Sequence, residues 1–417
     1  MTVDSRVSQR TVDLNDHAKH AGGRWSRPIT GADLRADGNA FTIVRVVLAT
    51  LVIFSHAFIL TGHGGDDFTR IVLPAPVSAF AVLLFFSLSG FLVTGGLIRR
   101  GALSFAVARA LRLLPGLSVM LLVTAAAGAF FVAAPIAAYL GEPSLHRYLW
   151  RNLALLGQAY SIVGVFPANP DADLVNGSLW TIPREVQCYL GLAVAGAIGL
   201  LRDRRVVLIA FIVLVAAHLI VPLSIFPAFV PVRRLFVSFA SGVVFYQWHD
   251  RVRLSWLAAV ATIGCVLLLP KSELQTLALF LAATYTMFVA AMTASASIKR
   301  ISSRLPDYSY GIYIYAFPVQ QAVIATHLGL TPVANMLWTI VIVVALAAVS
   351  WHCIERPALA LKPRFRRRTS LQTELQSASP PLADVNLERH LGGGGEATRR
   401  AQLVVLDPAR QAKHSDP

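Results

Sequence analysis

From Phe41 to Lys362 the chain is a succession of apolar stretches, and that pattern limits the fold more than any other feature. These 322 residues hold 22 basic and 11 acidic side chains, about one charge in ten residues. A soluble domain carries about a quarter charged residues. About 20 apolar residues suffice to cross a bilayer as a helix. Ten such stretches are legible: 41–61, 75–98, 113–140, 179–201, 205–222, 233–248, 254–270, 274–294, 307–328 and 333–353. The predicted fold class is therefore all-α, a polytopic membrane bundle of about ten transmembrane helices. The third stretch is long enough to tilt or to extend beyond the bilayer. The stretch 149–166 is apolar but carries Arg151 and Asn152, and reads as a re-entrant or surface helix. A mean hydropathy of +0.61 excludes disorder, collagen, a disulfide scaffold and an ordinary soluble enzyme.

Charge supplies the organisation. Residues 1–40 hold six Lys/Arg and five Asp/Glu, and form a polar N-terminal segment. They lack a signal sequence with a cleavage site, so the first apolar stretch is expected to be retained. Residues 41–360 form the membrane domain. Residues 361–417 form a tail, basic at Arg364 to Arg368, then Ser/Pro/Gly-rich through Gly392 to Gly395, and expected to be disordered. With the N-terminus inside, 29 of the 37 basic residues fall on the cytoplasmic side, as the positive-inside rule requires. An even number of spans then leaves both termini in the cytoplasm. The net charge of +15 is mostly topological, and its expected partner is anionic lipid headgroups. No motif supports nucleic acid. Cys188, Cys265 and Cys353 show no C-x-x-C pattern and read as small buried hydrophobes. No internal repeat is evident, which disfavours transporters built from repeats.

Ionisable side chains inside spans are costly and point to function. Arg45 and His56 lie in the first span, eleven residues apart. That spacing puts them on one helix face, about 16 Å apart along the axis. Arg45 sits near the cytoplasmic end, where it can meet a phosphate or snorkel to the interface. His56 sits in the outer half, as a base or as a packing histidine. The fourth span opens Asn176-Gly-Ser-Leu-Trp180-Thr-Ile-Pro-Arg184-Glu185. It runs inward, so Glu185 is at a depth like that of His56. A carboxylate can fix an imidazole tautomer and stabilise its charged form. Glu185 can equally pair with Arg184 or cap its helix. Arg109 and Arg112 are i,i+3 neighbours at a cytoplasmic helix start, and form either a phosphate clamp or part of the topological charge. The loop residues His63, Asp66 and Asp67 read as a flexible Gly-rich turn, so no metal site is expected.

These residues resemble the acyltransferase-3 family of integral membrane O-acyltransferases. The likeness rests on Arg45-x10-His56, on Phe85-Phe86-Ser87-Leu88-Ser89-Gly90-Phe91, on Arg109-x-x-Arg112, and on Leu179-Trp180-Thr181-Ile182-Pro183-Arg184-Glu185. Weaker echoes are Ser309 to Pro318 and Ile354-Glu355-Arg356-Pro357. It covers about residues 39–360. The resemblance implies transfer of an acyl group, usually acetyl, from cytoplasmic acyl-CoA to a hydroxyl of a carbohydrate acceptor. Such an acceptor would be a surface polysaccharide, lipopolysaccharide or lipid-linked oligosaccharide, and the setting the bacterial inner membrane. His56 would be catalytic, and Arg45, Arg109 and Arg112 would serve near the donor. No permanently bound cofactor is implied; acyl-CoA is a substrate. One departure is Ala316, where many relatives have a histidine. His327, eleven residues on, is not substituted for it.

The chemistry expected is general base catalysis by His56, oriented by Glu185 if the two spans touch, with a covalent acyl-histidine as a variant. Ser87, Ser89, Trp180 and Tyr313 are candidate oxyanion or substrate contacts by residue type. The rival readings are a flippase of lipid-linked sugars, an acyltransferase for a small secreted metabolite, and a catalytically dead scaffold. Acyl-CoA binding separates enzyme from flippase.

Overall fold

The computed structural model describes residues 26–63, 68–157, 159–221 and 230–362. The tail sequence from Pro363, including Arg364 to Arg368 and Gly392 to Gly395, lies outside the described residues, as do Asp66 and Asp67. The helices, in chain order, are α1 Phe41–Leu60, α2 Val77–Arg100, α3 Ala102–Gly128, α4 Ile136–Gly141, α5 Pro143–Leu153, α6 Ile182–Ala197 and α7 Arg204–Ile220. There follow α8 Val230–Gln247, α9 Trp256–Leu267, α10 Glu273–Thr293, α11 Ala296–Arg304, α12 Ser309–Ala325, α13 Pro332–Ser350 and α14 Arg356–Leu359. The described strands, β1 Arg27–Pro28 and β2 Arg253–Leu254, pair antiparallel, Arg27 opposite Leu254.

The protein is thus a helical membrane protein. Each of the ten apolar stretches contains helix, but five helical runs are both long and apolar enough to cross a membrane: α1, α2, α3, α10 and Pro332–Leu359. The others are shorter or less apolar; α9 has 12 residues and α6 has 16. Two boundaries differ from expectation. The third stretch is helical from Ala102, not 113, and stops at Gly128. Arg109 and Arg112, expected at a helix start, lie inside the helix; Ala and Leu between them favour helix, and Gly101, at φ 76°, makes the break from α2. The stretch 149–166 is helical only to Leu153. Beyond it the backbone turns, with Leu155 and Phe166 at positive φ, and two isolated bridges, Val132–Val165 and Ser161–Leu174, fold the segment on itself.

Polar side chains start many of the helices. Asp203, Ser255, Ser272, Ser295 and Thr331 each accept a hydrogen bond from a first-turn backbone N–H. Packing between α2 and α8 is at backbone distance. A Cβ on Gly90 would stand 2.1 Å from Phe239 O, and one on Gly242 would stand 1.8 Å from Ser87 O. Small residues permit that approach where lipid supplies no hydrophobic drive between helices. Buried amides tie α12 to its neighbours. Gln320 Nε2 donates to Ile53 O (2.9 Å) and to Asn335 Oδ1 (3.0 Å), and Asn176 Nδ2 donates to Ile314 O (3.0 Å). Gln321 Nε2 holds the folded segment after α5 through Asp171 O and Leu174 O. Residues 26–40 also fold against the bundle. Asp33 accepts both terminal nitrogens of Arg27 at 2.8 Å, and Arg27 Nη2 donates to Met292 O. Burial pushes the Asp33 carboxyl up, but Arg27 and Thr30 outweigh it and hold the carboxyl at about 2.

All three cysteines are free, but only Cys188 is buried. Cys265 and Cys353 sit on outward helix faces, which in a membrane bundle are apolar too.

Candidate active site

Two cavities lie one after the other along α1, sharing Val82 and Tyr313 as walls. The first has a volume of about 130 Å³ and is lined by Arg45, Arg109, Arg112, Glu185, Tyr189 and Asp307, among others. The second has about 340 Å³ and is lined by His56, Ser178, Trp180, Arg234, Thr276 and Phe317, among others.

The first cavity is organised by a carboxylate the sequence reading did not single out. Asp307 Oδ2 accepts from Arg45 Nη1 at 2.6 Å and from Arg112 Nη2 at 2.9 Å. Arg112 Nη1 also donates to Glu355 Oε2 at 2.7 Å. Its guanidinium lies over the rings of Tyr310 (5.4 Å) and Trp351 (5.5 Å). Glu355 reaches Arg112 because Trp351–Glu355 is a π turn, which rotates the end of α13. Its side chain is 1% exposed and also accepts from Ser350 Oγ. Arg45, Arg109, Arg112, Asp307 and Glu185 therefore line one small space, with Glu355 holding Arg112 from behind it. Among the described residues Arg109 has no carboxylate partner; it lies over the Tyr189 ring at 5.7 Å, and its Nε is buried without a hydrogen bond. Lys362 stands nearby. Burial, then Arg109, Arg112 and Arg100, push its ammonium down to about 8. Burial together with three nearby cations marks an electropositive region around Lys362.

Glu185 is in this cavity, and its partner is the Tyr189 hydroxyl, which in turn lies 3.0 Å from Ser89 Oγ. The expected His56–Glu185 pair is not formed: the two side chains line different cavities. Glu185 sits one turn before Tyr189 on α6, and the i,i+4 contact takes the carboxylate. Arg184 donates to Gln187, not to Glu185.

In the second cavity His56 Nδ1 is buried with no hydrogen-bond partner, and its ring meets Phe317 edge-on at 5.5 Å. Ser178 Oγ is likewise buried and unpartnered. Trp180 lines this space. Tyr313, between the cavities, is held by its hydroxyl, 2.8 Å from Thr181 Oγ1 and 3.3 Å from Ser178 O. Ser87 faces neither cavity. It is fully buried against α8, 3.0 Å from Ser241 Oγ, so it is a packing residue and not an oxyanion donor. Ala316 is buried in the core, and His327 lines a separate third cavity with Thr61 and Phe130.

A family model described as an acyltransferase domain matches residues 39–354. The chain belongs to this family. It is similar to an O-acetyl transferase of Shigella phage Sf6, 29% identical over 374 residues, covering 81% of this chain and 98% of the relative. It is also similar to nodulation protein 10 of Rhizobium leguminosarum bv. viciae, 29% identical over 359 residues, covering 78% and 94%. No solved structure matches the chain. The protein is therefore a membrane acyltransferase. Arg45, Arg109, Arg112, Arg234, His56, Glu185, Tyr313 and Asp307 fall within the matched domain, whereas Glu355 and Lys362 lie just beyond its end.

Asp307 and Arg234 are the site residues that sequence reading missed. Asp307 had a signal: it is one of only 11 acidic residues between Phe41 and Lys362, and it opens an apolar stretch. Arg234 had the same one, a cation at the start of an apolar stretch, and reads as topological charge until its cavity is seen.

Proposed function

We propose that this acyltransferase moves an acyl group, typically acetyl, from acyl-CoA to a hydroxyl of a carbohydrate acceptor, with His56 as general base. The surface glycans named above, or their lipid-linked precursors, are the acceptor class. The observation that carries this reading is the pairing of two cavities across Tyr313: one rich in cations, the other holding an unpartnered imidazole. The donor's phosphates belong at the first cavity, near Arg109, Arg100 and Lys362. Arg45 and Arg112 already hold Asp307, so their main work is to shape that cavity. The pantetheine arm then runs along α1 past Tyr313, and brings the thioester to His56. The spacing of about 16 Å between Arg45 and His56 suits such an arm. Because acyl-CoA is cytoplasmic, this orientation puts the Arg45 end inside, both termini in the cytoplasm, and ten spans in a bacterial inner membrane.

In the chemical step, an imidazole nitrogen of His56 takes the proton of the acceptor hydroxyl as its oxygen attacks the thioester carbonyl carbon. The carbonyl oxygen takes up the charge, and the Tyr313 hydroxyl, on the wall that the two cavities share, is its donor in this reading. The C–S bond then breaks, and the imidazolium returns the proton to the leaving thiolate. Glu185 takes no part in orienting His56 here; it fixes Tyr189 and the wall of the donor cavity.

His56→Ala tests the reading. Acyl transfer to membrane glycan, followed with labelled acetyl-CoA, should fall about 10²- to 10⁴-fold, with insertion and CoA binding retained. Undiminished labelling would overturn it.

A further inference from the structure

Arg234 and Glu273 are not used in the step above, yet they stand at the His56 chamber. Arg234 Nε donates to Glu273 Oε1 at 2.8 Å, and Arg234 Nη2 donates to Glu273 Oε2. This bidentate pair engages two of the three guanidinium nitrogens, leaving Nη1 outside it. His218 Nε2 lies 2.7 Å from the same Oε1. The carboxylate only accepts, so His218 Nε2 carries the hydrogen. His218 is 2% exposed. Three residues from α7, α8 and α10 thus fix one guanidinium at the chamber wall.

Arg234 is the only Arg, Lys, Asp or Glu among the described residues lining that chamber, and Glu273 matches its charge. The neighbouring Arg233 turns away, donating to Val221 O at 3.1 Å. What remains on the wall is a mixture of two kinds. Trp180, Phe317 and Leu83 offer apolar surface. His56 Nδ1 and Ser178 Oγ are buried polar atoms with no protein partner. Buried polar groups are ordinarily hydrogen-bonded, so these two call for a ligand's hydroxyls.

We propose that the chamber is an acceptor subsite for an uncharged polyol such as a neutral sugar ring, with Arg234, neutralised by Glu273, as its specificity-determining donor. This rests on the reading of His56 as the acceptor-side base. The ring's C–H face lies on the aromatic wall, its hydroxyls meet Ser178 and Arg234, and the reacting hydroxyl meets His56. An acceptor bearing a carboxylate or phosphate at that position is disfavoured, because its charge would compete with Glu273 for one guanidinium in a poorly solvated space.

Saturation-transfer NMR on the purified full chain tests this, with methyl glucoside and methyl glucuronate as probes. The neutral glycoside should bind about tenfold more tightly than the uronate. Glu273→Gln, which frees the Arg234 charge, should reverse that order. Arg234→Met should weaken the glucoside about tenfold, with CoA binding unchanged in both variants. The inference is overturned if neither probe binds, if the uronate binds the wild type as well as the glucoside, or if both variants leave the order and affinities as they were. The wild-type preference is read without any variant, so a variant that fails to insert does not spoil the test. Full transfer by His56→Ala would sink the catalytic reading while leaving the binding preference to be judged on its own.

Discussion

The two cavities differ in how they treat polar groups. Around Arg112, two carboxylates from α13's π turn and from the residues before α12 hold two guanidiniums in fixed contacts. Around His56, an imidazole nitrogen and a serine hydroxyl are buried with no protein partner. In the first region the carboxylates hold Arg45 and Arg112 and shape a space, with Arg109 Nε as the buried atom left over; the second is incomplete until something fills it. Charge alone therefore misleads about which residues meet a ligand. The most heavily charged part of the site is largely occupied with itself, and Arg109 is the arginine there without a carboxylate.

Four perturbations break or sharpen this contrast, and they are ordered by expected size. Arg112→Met leaves Asp307 and Glu355 without their shared cation. It should cost about 3–5 kcal/mol, because an unpaired buried charge remains; thermal inactivation of the purified protein measures it, and a shift no larger than that of a surface variant would refute the internal-pairing argument. Tyr313→Phe keeps the ring between the cavities but cuts its tether to Thr181 and Ser178. It should cost about 0.5–1.5 kcal/mol of stability and slow acyl transfer from labelled acetyl-CoA, since the carbonyl oxygen loses a donor; undiminished transfer would remove Tyr313 from the chemical step. Lys362 should confer a pH dependence on donor affinity. Its ammonium titrates at about 8, so it is charged below that pH and neutral above it. Donor KM should therefore rise about two- to threefold between pH 7 and pH 9, and Lys362→Arg, charged throughout, should flatten the rise. Ser87→Ala should change transfer by less than about twofold, since it removes one hydrogen bond to Ser241 remote from either cavity; a hundredfold loss would restore Ser87 as an oxyanion donor.

The sequence was most informative where a residue's cost in lipid is high. Arg45, His56, Arg109, Arg112 and Glu185 stood out because each is ionisable within or beside an apolar stretch, and four of them do line the first cavity, with His56 in the second. Which of them touch was not legible. Glu185 was open to His56, to Arg184 or to its helix start, and a residue outside these, Tyr189 on the next turn, took it. Ser87 and Ser89 look equivalent in sequence, yet successive small residues on a helix face different neighbours: Ser89 lines the first cavity and Ser87 packs on α8. The apolar stretches located helices well, but hydropathy could not see that the arginines of α3 belong to its first turns. Nor could it see that the segment after α5 is held by hydrogen bonds from Gln321 and is not helical.

The π turn at Trp351–Glu355 has a further consequence. Such a turn is an α-helix carrying one surplus residue. Removing one residue between Trp351 and Ile354 would let α13 run on in uniform register and swing Glu355 by about 100° about the axis. The composition and hydropathy of the run Pro332–Leu359 would hardly change, and it would still be long enough to cross a membrane. Yet Arg112 would lose a carboxylate and Lys362 would be carried round with the helix end. In this segment residue count, more than residue type, sets the wall of the first cavity, so a one-residue deletion there should disturb the site while leaving the helix's length and hydropathy intact.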